Sequence, residues 1–176
     1  SGNVKADKYL NKDGKDIGRL CKQGVCNAEL VHERIIYGLP GQLPAEYDGW
    51  KKLVYVYNPF GYAIPEKNPG TTRKFRLYCI YSDNMTTEGE HNIQFCIGDG
   101  DGNNKCAKQN VIFHLPRSWG GISTNPYDEN RDAYSDWIEE SKVIGGTHAD
   151  IHIETSISGK TGVIKYMALQ TWDFLP

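Results

Sequence analysis

Short runs of apolar residues, many alternating with polar ones, are separated by clusters of Gly, Pro, Asn and Asp along this chain of 176 residues. Runs that are rich in β-branched and aromatic residues are typical of β-strands, in which successive side chains point to opposite faces. Seven strands are predicted on this basis, at residues 28–37, 52–58, 73–81, 91–98, 110–115, 148–157 and 163–174. The pattern therefore predicts an all-β protein.

Alternation is most regular in residues 93–97 and 164–174, which predicts strands with one face on a core and the other face in water. Strands of that kind are typical of antiparallel sheets. The turn sequence SGKTG at residues 158–162 predicts a hairpin that joins the last two strands.

One segment departs from the strand pattern. Asn125 followed by Pro126 is typical of the start of a helix. Residues at helical spacing then continue up to the glycine pair at 145–146, and they are Tyr127, Arg131, Tyr134, Trp137 and Ile138. This spacing predicts one surface helix of about three to four turns.

The predicted strands and the Pro- and Gly-rich connections at residues 40–48 and 59–70 favour a single domain over residues 1–176. We expect an antiparallel β-sandwich of jelly-roll-like type with one short surface helix, because two packed sheets tolerate long irregular connections. Since this architecture carries binding modules, adhesins and enzymes alike, fold class alone does not select a function.

The five cysteines bear on the compartment. Cys96 and Cys106 bracket a turn-rich stretch, and Cys21 and Cys26 are placed in a similar way, so two local disulfides are predicted. Cys79 has no disulfide partner in this scheme. The alternatives are a disulfide between Cys79 and Cys96, or five unpaired thiols. Local disulfides favour a secreted, periplasmic or cell-surface protein.

Charge and hydropathy bear on the partners. The net charge of −2 arises from 20 basic and 22 acidic residues scattered along the chain, with no basic block for a phosphate backbone. No apolar run approaches the roughly 20 residues of a membrane-spanning helix. We therefore expect no nucleic-acid partner and no membrane span.

One predicted strand concentrates ionisable side chains. His148, Asp150, His152 and Glu154 alternate with apolar residues, which would place all four on one strand face. Neighbours two apart stand about 7 Å from each other, close enough to share one metal ion or one proton. His148, Asp150 and His152 are therefore one candidate metal site, with Glu154 as an acid. The alternative is the water-facing side of an amphipathic strand.

A second candidate metal site lies in the loop Asp99, Asp101 and Asn103, whose oxygen side chains alternate with glycines. Such a loop can curl around a hard cation, and calcium is the cofactor that it favours. The helical calcium loop is excluded, because its sixth and twelfth positions here are Asn104 and Asn110. A plain Asp-Gly turn is the alternative.

Aromatic residues in loops form a candidate ligand site. Trp119, Trp50 and Tyr127 lie outside the alternating core series, and Arg117 stands beside Trp119. Flat rings stack on sugar rings, and neighbouring polar groups bond sugar hydroxyls. The alternative is that these rings complete the core.

These observations predict an extracytoplasmic binding module whose partner is a carbohydrate. The runner-up is an adhesin or pilin-type subunit of a surface assembly whose partner is a surface protein. A metal-dependent enzyme that uses residues 148–154 comes third, because the chain lacks the G-x-S-x-G, H-E-x-x-H and Walker motifs.

Overall fold

The computed structural model describes residues 13–14, 21–47, 51–57, 64–83, 91–98, 109–115, 130–142, 148–155 and 162–176. Within these ranges the chain forms β-strands and one short 3₁₀ helix. The strands are β1 (Cys21–Lys22), β2 (Val25–Cys26), β3 (Ala28–Tyr37), β4 (Ala45–Tyr47), β5 (Lys51–Tyr57), β6 (Thr72–Asp83), β7 (His91–Gly98), β8 (Gln109–Leu115), β9 (Arg131–Tyr134), β10 (Ile138–Glu139), β11 (His148–Thr155) and β12 (Gly162–Phe174). The 3₁₀ helix spans Glu140–Lys142.

The all-β class and the antiparallel pairing are confirmed. The seven predicted strands correspond to β3, β5, β6, β7, β8, β11 and β12, with ends that shift by a residue or two. Every strand ladder in the described residues is antiparallel, and these ladders do not close into a barrel. Runs rich in β-branched and aromatic residues, bounded by turn residues, were therefore sufficient to locate the long strands.

The larger sheet has six strands in the order β10-β6-β12-β3, with β4 also beside β12 and β9 also beside β6. Strand β12 lies at its centre. One edge of β12 pairs with β6 from Gly162 to Phe174, and the other edge pairs first with β4 and then with β3. Most of β12 is buried on both faces. The prediction of a water-facing side for this strand was wrong, because every residue from Met167 to Asp173 is buried, on both faces of the strand.

The smaller sheet has four strands in the order β5-β11-β7-β8. Strand β11 therefore belongs to a different sheet from β12, and no ladder in the described residues joins them. The predicted hairpin across residues 158–162 was wrong for this reason. The chain passes from one sheet to the other between Thr155 and Gly162.

The predicted surface helix was also wrong within the described residues. Arg131–Tyr134 forms β9 on the edge of β6, and Ile138–Glu139 forms β10 further along the same edge. Ser135 bridges the two short strands, because its amide donates to the Leu77 carbonyl and its hydroxyl accepts from the Leu77 amide. The open edge of β6 thus outweighs the local helical spacing. Asn125, Pro126 and Tyr127 lie outside the described residues.

The main core joins side chains of both sheets. Phe75, Leu77, Cys79 and Tyr81 of β6 pack with Ile164, Met167 and Leu169 of β12, and Val56 of β5 belongs to the same cluster. Cys79 is a free, fully buried thiol, so the alternative Cys79 to Cys96 disulfide was wrong. Burial raises the pKa of the Cys79 thiol.

A second, smaller cluster contains Val25, Ala28 and Trp172, with Trp137 and Phe174 packed against it. Trp172 has no exposed surface and meets Trp137 edge to face at 6.1 Å. This cluster joins β12 to the short strand β2. It lies apart from the main core.

A buried ion pair fixes the end of β12 to β6. Asp173 is fully buried and accepts hydrogen bonds from Arg73 Nε at 2.8 Å and from Arg73 Nη2 at 3.0 Å. The amide of Asn68 donates to the same carboxylate at 3.0 Å. Arg73 also donates to the carbonyl of Pro65. The carboxylate and the guanidinium therefore satisfy each other away from water.

The turn after β3 depends on a glycine. Gly38 has a φ of +89°, and a Cβ atom at this position would overlap the carbonyl oxygen of Lys165. Lys165 lies where the partner of β12 changes from β4 to β3. Glycine therefore permits the close approach of the turn to β12.

Candidate functional site

The outer face of the six-stranded sheet carries three tyrosines. Tyr78 lies on β6 between Leu77 and Cys79, which both face the main core, so the alternation of the strand turns Tyr78 away from the core. Tyr134 of β9 is the cross-strand partner of Tyr78. Tyr166 of β12 meets the Tyr78 ring from the other side. All three side chains are half-buried. We call Tyr78, Tyr134 and Tyr166, with Glu33 and Asp132, the tyrosine face.

The three rings contact one another in a row. Tyr78 and Tyr134 are stacked, with ring centroids 4.8 Å apart and an interplanar angle of 20°. Tyr166 contacts Tyr78 edge to face at 5.9 Å. Both arrangements are favourable for aromatic pairs, so the rings support one another in fixed positions.

Two exposed carboxylates border these rings. The hydroxyl of Tyr166 donates to Glu33 Oε1 at 2.8 Å. The hydroxyl of Tyr78 lies 3.5 Å from Asp132 Oδ2, a longer contact. Each carboxylate retains oxygen lone pairs that can accept further hydrogen bonds from a ligand. The tyrosine face therefore combines apolar ring surface with hydrogen-bond acceptors.

Arg76 lies beneath the tyrosine face. Its guanidinium carbon is 3.8 Å from the Tyr134 ring centroid, 4.7 Å from that of Trp137 and 5.1 Å from that of Trp172. Its Nε donates to Gln170 Oε1 at 2.8 Å. Cation–π contacts with three rings and this hydrogen bond hold the guanidinium in place and support the ring of Tyr134 from below.

A fully buried amide connects Arg76 to the border of the tyrosine face. Gln170 accepts from Arg76 and from the indole of Trp172, and its Nε2 donates to Glu33 Oε2 at 2.7 Å. Glu33 is the exposed carboxylate that also receives the Tyr166 hydroxyl. The position of Glu33 is thus set by two donors from β12.

The three phenols are held in the protonated state. Burial raises the pKa of Tyr78 to about 12, and the carboxylate of Asp132 adds to the rise. Burial raises the pKa of Tyr134 against the opposing charge of Arg76. Burial and the hydrogen bond to Glu33 raise the pKa of Tyr166. At neutral pH these hydroxyls are therefore neutral hydrogen-bond donors.

An alkaline titration checks the environment of Tyr78. We expect the difference in tyrosinate absorbance between the wild-type protein and Tyr78→Phe to be centred near pH 12, compared with about 10 for a free tyrosine. A rapid pH jump followed by stopped-flow absorbance reads the protein while it is still folded. A difference centred near pH 10 would contradict the raised pKa of this hydroxyl.

The same shift predicts how stability changes with pH. The folded state keeps the Tyr78 proton up to about pH 12, whereas an unfolded chain loses it near pH 10. Between these values the folded state binds more protons, so the free energy of unfolding falls as the pH rises. Below pH 10 this contribution is fully present.

The candidate residues for sugar binding, Trp119, Tyr127, Trp50 and Arg117, all lie outside the described residues. The candidate calcium ligands Asp99, Asp101 and Asn103 lie outside them as well. Both sites stay predictions.

The ionisable stretch His148 to Glu154 forms most of β11, between β5 and β7. In backbone register, His148 is the partner of Tyr57 and Asp150 is the partner of Tyr55. These tyrosines are 69% and 46% exposed. The side chains of β11 are outside the described part of the structure, so the metal site at His148, Asp150 and His152 stays a prediction. The side chains that are described contain no group of three or more His, Cys, Asp or Glu suited to a metal ion.

The predicted disulfide between Cys21 and Cys26 is confirmed. Cys106 lies outside the described residues, so its bond to Cys96 stays a prediction. The backbone places Cys96 on β7, opposite Asn110 of β8.

The tyrosine face was missed by sequence reasoning, although part of its signal was present. In β6 the core residues occupy alternate positions, and Arg76 and Tyr78 occupy the positions between them. Tyr134 was assigned to a helix, and Glu33 reaches this site only through the pairing of β3 with β12. Nothing local to these residues reveals that pairing.

No protein-family model matches the chain, and no match was found among curated proteins. The described residues include no helix with the length and apolar character needed to cross a membrane.

Proposed function

We propose that this protein is a carbohydrate-binding module and that the tyrosine face receives the sugar. The observation that carries this proposal is the row of contacting, half-buried rings of Tyr78, Tyr134 and Tyr166, bordered by Glu33 and Asp132. The C–H faces of a sugar ring stack on aromatic rings, and its hydroxyls donate to carboxylates. The tyrosine face offers both kinds of contact side by side.

The rigidity of the tyrosine face supports the same function. Tyr134 is stacked on Tyr78 and lies against the Arg76 guanidinium, so its ring has few other positions to adopt. Side chains that are already ordered lose little conformational entropy when a ligand binds. A flat saccharide would therefore meet a prearranged surface.

We also propose the finer architecture, a jelly-roll-like β-sandwich. Its support is the main core, in which Val56 of the four-stranded sheet packs with Leu77 and Ile164 of the six-stranded sheet. In a sandwich of this kind the tyrosine face points away from the opposing sheet. Secretion, or exposure in the periplasm or on a cell surface, is part of the proposal, since disulfides such as Cys21–Cys26 persist in oxidising compartments.

Binding to a glycan panel tests the proposal directly. We expect Tyr78→Ala to weaken binding of the recognised glycan by about tenfold or more, because truncating a central aromatic hot spot costs about 2 kcal/mol and tenfold in affinity is about 1.4 kcal/mol. Tyr78→Phe keeps the ring and should retain most of the affinity. The matched control is Tyr57→Ala, which removes an exposed tyrosine from the other sheet.

The outcomes separate the two aromatic sites. Full affinity in Tyr78→Ala together with loss of binding in Trp119→Ala would place the site on the loop aromatics instead. Absence of binding to any glycan would overturn the proposal as a whole.

The second candidate function is that of an adhesin or surface-assembly subunit that binds another protein. A specific observation favours it. The large hydrophobic side chains most exposed in the described residues lie on β3, on the connection to β4 and on β5, and they are Ile35, Leu39, Leu43, Tyr55 and Tyr57. Contiguous exposed apolar surface is typical of protein interfaces, and β3 approaches β5 where Arg34 Nη1 donates to the Tyr57 carbonyl. A metal-dependent enzyme built on β11 remains the third candidate.

A further inference from the structure

The strands β1 and β2 form a small hairpin at residues 21–26, which we call the disulfide hairpin. Its ladder has only the pairs Cys21 with Cys26 and Lys22 with Val25. A two-stranded hairpin is marginal in water without further support. The exposed disulfide between Cys21 and Cys26 closes this one.

The tip of the disulfide hairpin covers the groups beneath the tyrosine face. The carbonyl oxygen of Gln23 accepts a hydrogen bond from Arg76 Nη2 at 3.2 Å. The side-chain oxygen of Gln23 accepts from Gln170 Nε2 at 2.6 Å. Gln170 is fully buried and Arg76 is 6% exposed. One turn residue therefore contacts both groups that support Tyr134 and Glu33.

The second strand of the disulfide hairpin covers Trp172. Val25 is 7% exposed and belongs to the same cluster as Trp172, which has no exposed surface. Removal of Val25 from this position would open one side of the cluster to water. The disulfide hairpin thus closes the base of the tyrosine face with the apolar contact of Val25 and the two hydrogen bonds of Gln23.

The backbone at the tip of the disulfide hairpin has a positive φ at a residue other than glycine. Gln23 has a φ of +50°, in the left-handed region that residues other than glycine seldom adopt. Such a conformation persists only where the surroundings hold it. The surroundings here are the covalent closure at Cys21–Cys26 and the two hydrogen bonds of Gln23.

We propose that the disulfide hairpin is a redox-sensitive latch on the base of the tyrosine face. A thiolate of a dithiol reductant attacks the Cys21–Cys26 bond and forms a mixed disulfide, and the second thiol then displaces the protein sulfur. The S–S bond of the protein breaks, two S–H groups form, and the reductant is oxidised to a disulfide. Gln23 then leaves Arg76 and Gln170, and Trp172 becomes accessible to water.

Exchange of the Trp172 indole N–H with solvent, followed by NMR, tests this opening. The indole donates to Gln170 Oε1 at 3.0 Å in the closed form. We expect dithiothreitol to speed its exchange by about tenfold or more. The backbone amide of Leu77 in the main core should stay protected, which shows that the protein remains folded.

The double variant Cys21→Ser with Cys26→Ser is the matched control. It should exchange as fast as the reduced protein, and dithiothreitol should change it no further, which excludes an effect through Cys96 or Cys106. Gln23→Gly, which keeps the disulfide, should show a smaller increase. Slow indole exchange in the reduced protein would overturn the latch.

The effect on binding rests on the proposed function, whereas the opening of the disulfide hairpin does not. We expect reduction to weaken glycan binding severalfold, because Arg76 and Gln170 position Tyr134 and Glu33. Fast indole exchange with no glycan bound in either redox state would support the latch and overturn the proposed function. Slow exchange with equal glycan binding in both states would support the function and overturn the latch.

Discussion

Replacement of Asp173 by alanine is expected to lower the free energy of unfolding by about 3–5 kcal/mol, one of the two largest effects that we predict for a single residue. Asp173 is fully buried and receives two hydrogen bonds from Arg73 and one from the Asn68 amide. Its removal leaves the Arg73 guanidinium buried without a counter-charge. The loss of stability in Asp173→Ala is therefore much greater than the net stabilisation that an intact ion pair provides.

Denaturant unfolding measures this loss, and an exposed ion pair of the same sheet provides the control. Glu139 lies 3.3 Å from Lys74, and its side chain is 48% exposed. Glu139→Ala should change the free energy of unfolding by less than about 1 kcal/mol, because water screens exposed pairs. Equal losses in Asp173→Ala and Glu139→Ala would contradict the role assigned to burial.

Trp172→Ala is expected to have an effect of the same size, a loss of about 3–5 kcal/mol, because it removes a large buried side chain and leaves a cavity. The indole packs edge to face on Trp137 and faces the Arg76 guanidinium. It also donates to the buried oxygen of Gln170. Three kinds of contact are thus lost together.

Trp172→Phe separates the packing of the ring from the hydrogen bond to Gln170. This variant keeps an aromatic ring but leaves Gln170 without one donor, so its loss should be clearly smaller than that of Trp172→Ala. Thermal and denaturant unfolding of both variants give the comparison. A loss under about 1 kcal/mol in Trp172→Ala would show that the second cluster contributes little to stability.

The long strands could be predicted because their signal is local. Alternation and β-branched composition identify β3 and β7 with their bounds unchanged. The burial of both faces of β12 could not be predicted from such a local signal. Alternation in residues 164–174 predicts a water-facing side, yet Gln170 and Asp173 are buried because Arg76 and Arg73 pair with them from 94 and 100 positions away. Such pairing is a property of the assembled sheet.

The two elements that were predicted wrongly share one cause. The spacing from Arg131 to Ile138 fits a helix, and the SGKTG turn at residues 158–162 fits a hairpin. Neither pattern contains the information that β6 has an edge to be filled, or that β11 and β12 join different sheets. The candidate site also depends on strand pairing that local patterns do not reveal. Tyr78 and Arg76 are placed by β6 alone, whereas Tyr134, Tyr166 and Glu33 come together only when β9, β12 and β3 are paired.

The central position of β12 has a consequence for the synthesis of the chain on the ribosome. Each strand that pairs with β12, namely β3, β4 and β6, is made before it. Until β12 emerges, β3 and β4 lack the partner that joins them to β6, and Leu77 and Cys79 lack the facing residues of the main core. Domains complete their folding as units, and unpaired strand edges favour association with other chains. The nascent chain therefore carries open edges until β12 has been made, and this one segment joins β3 and β4 to β6 in the larger sheet.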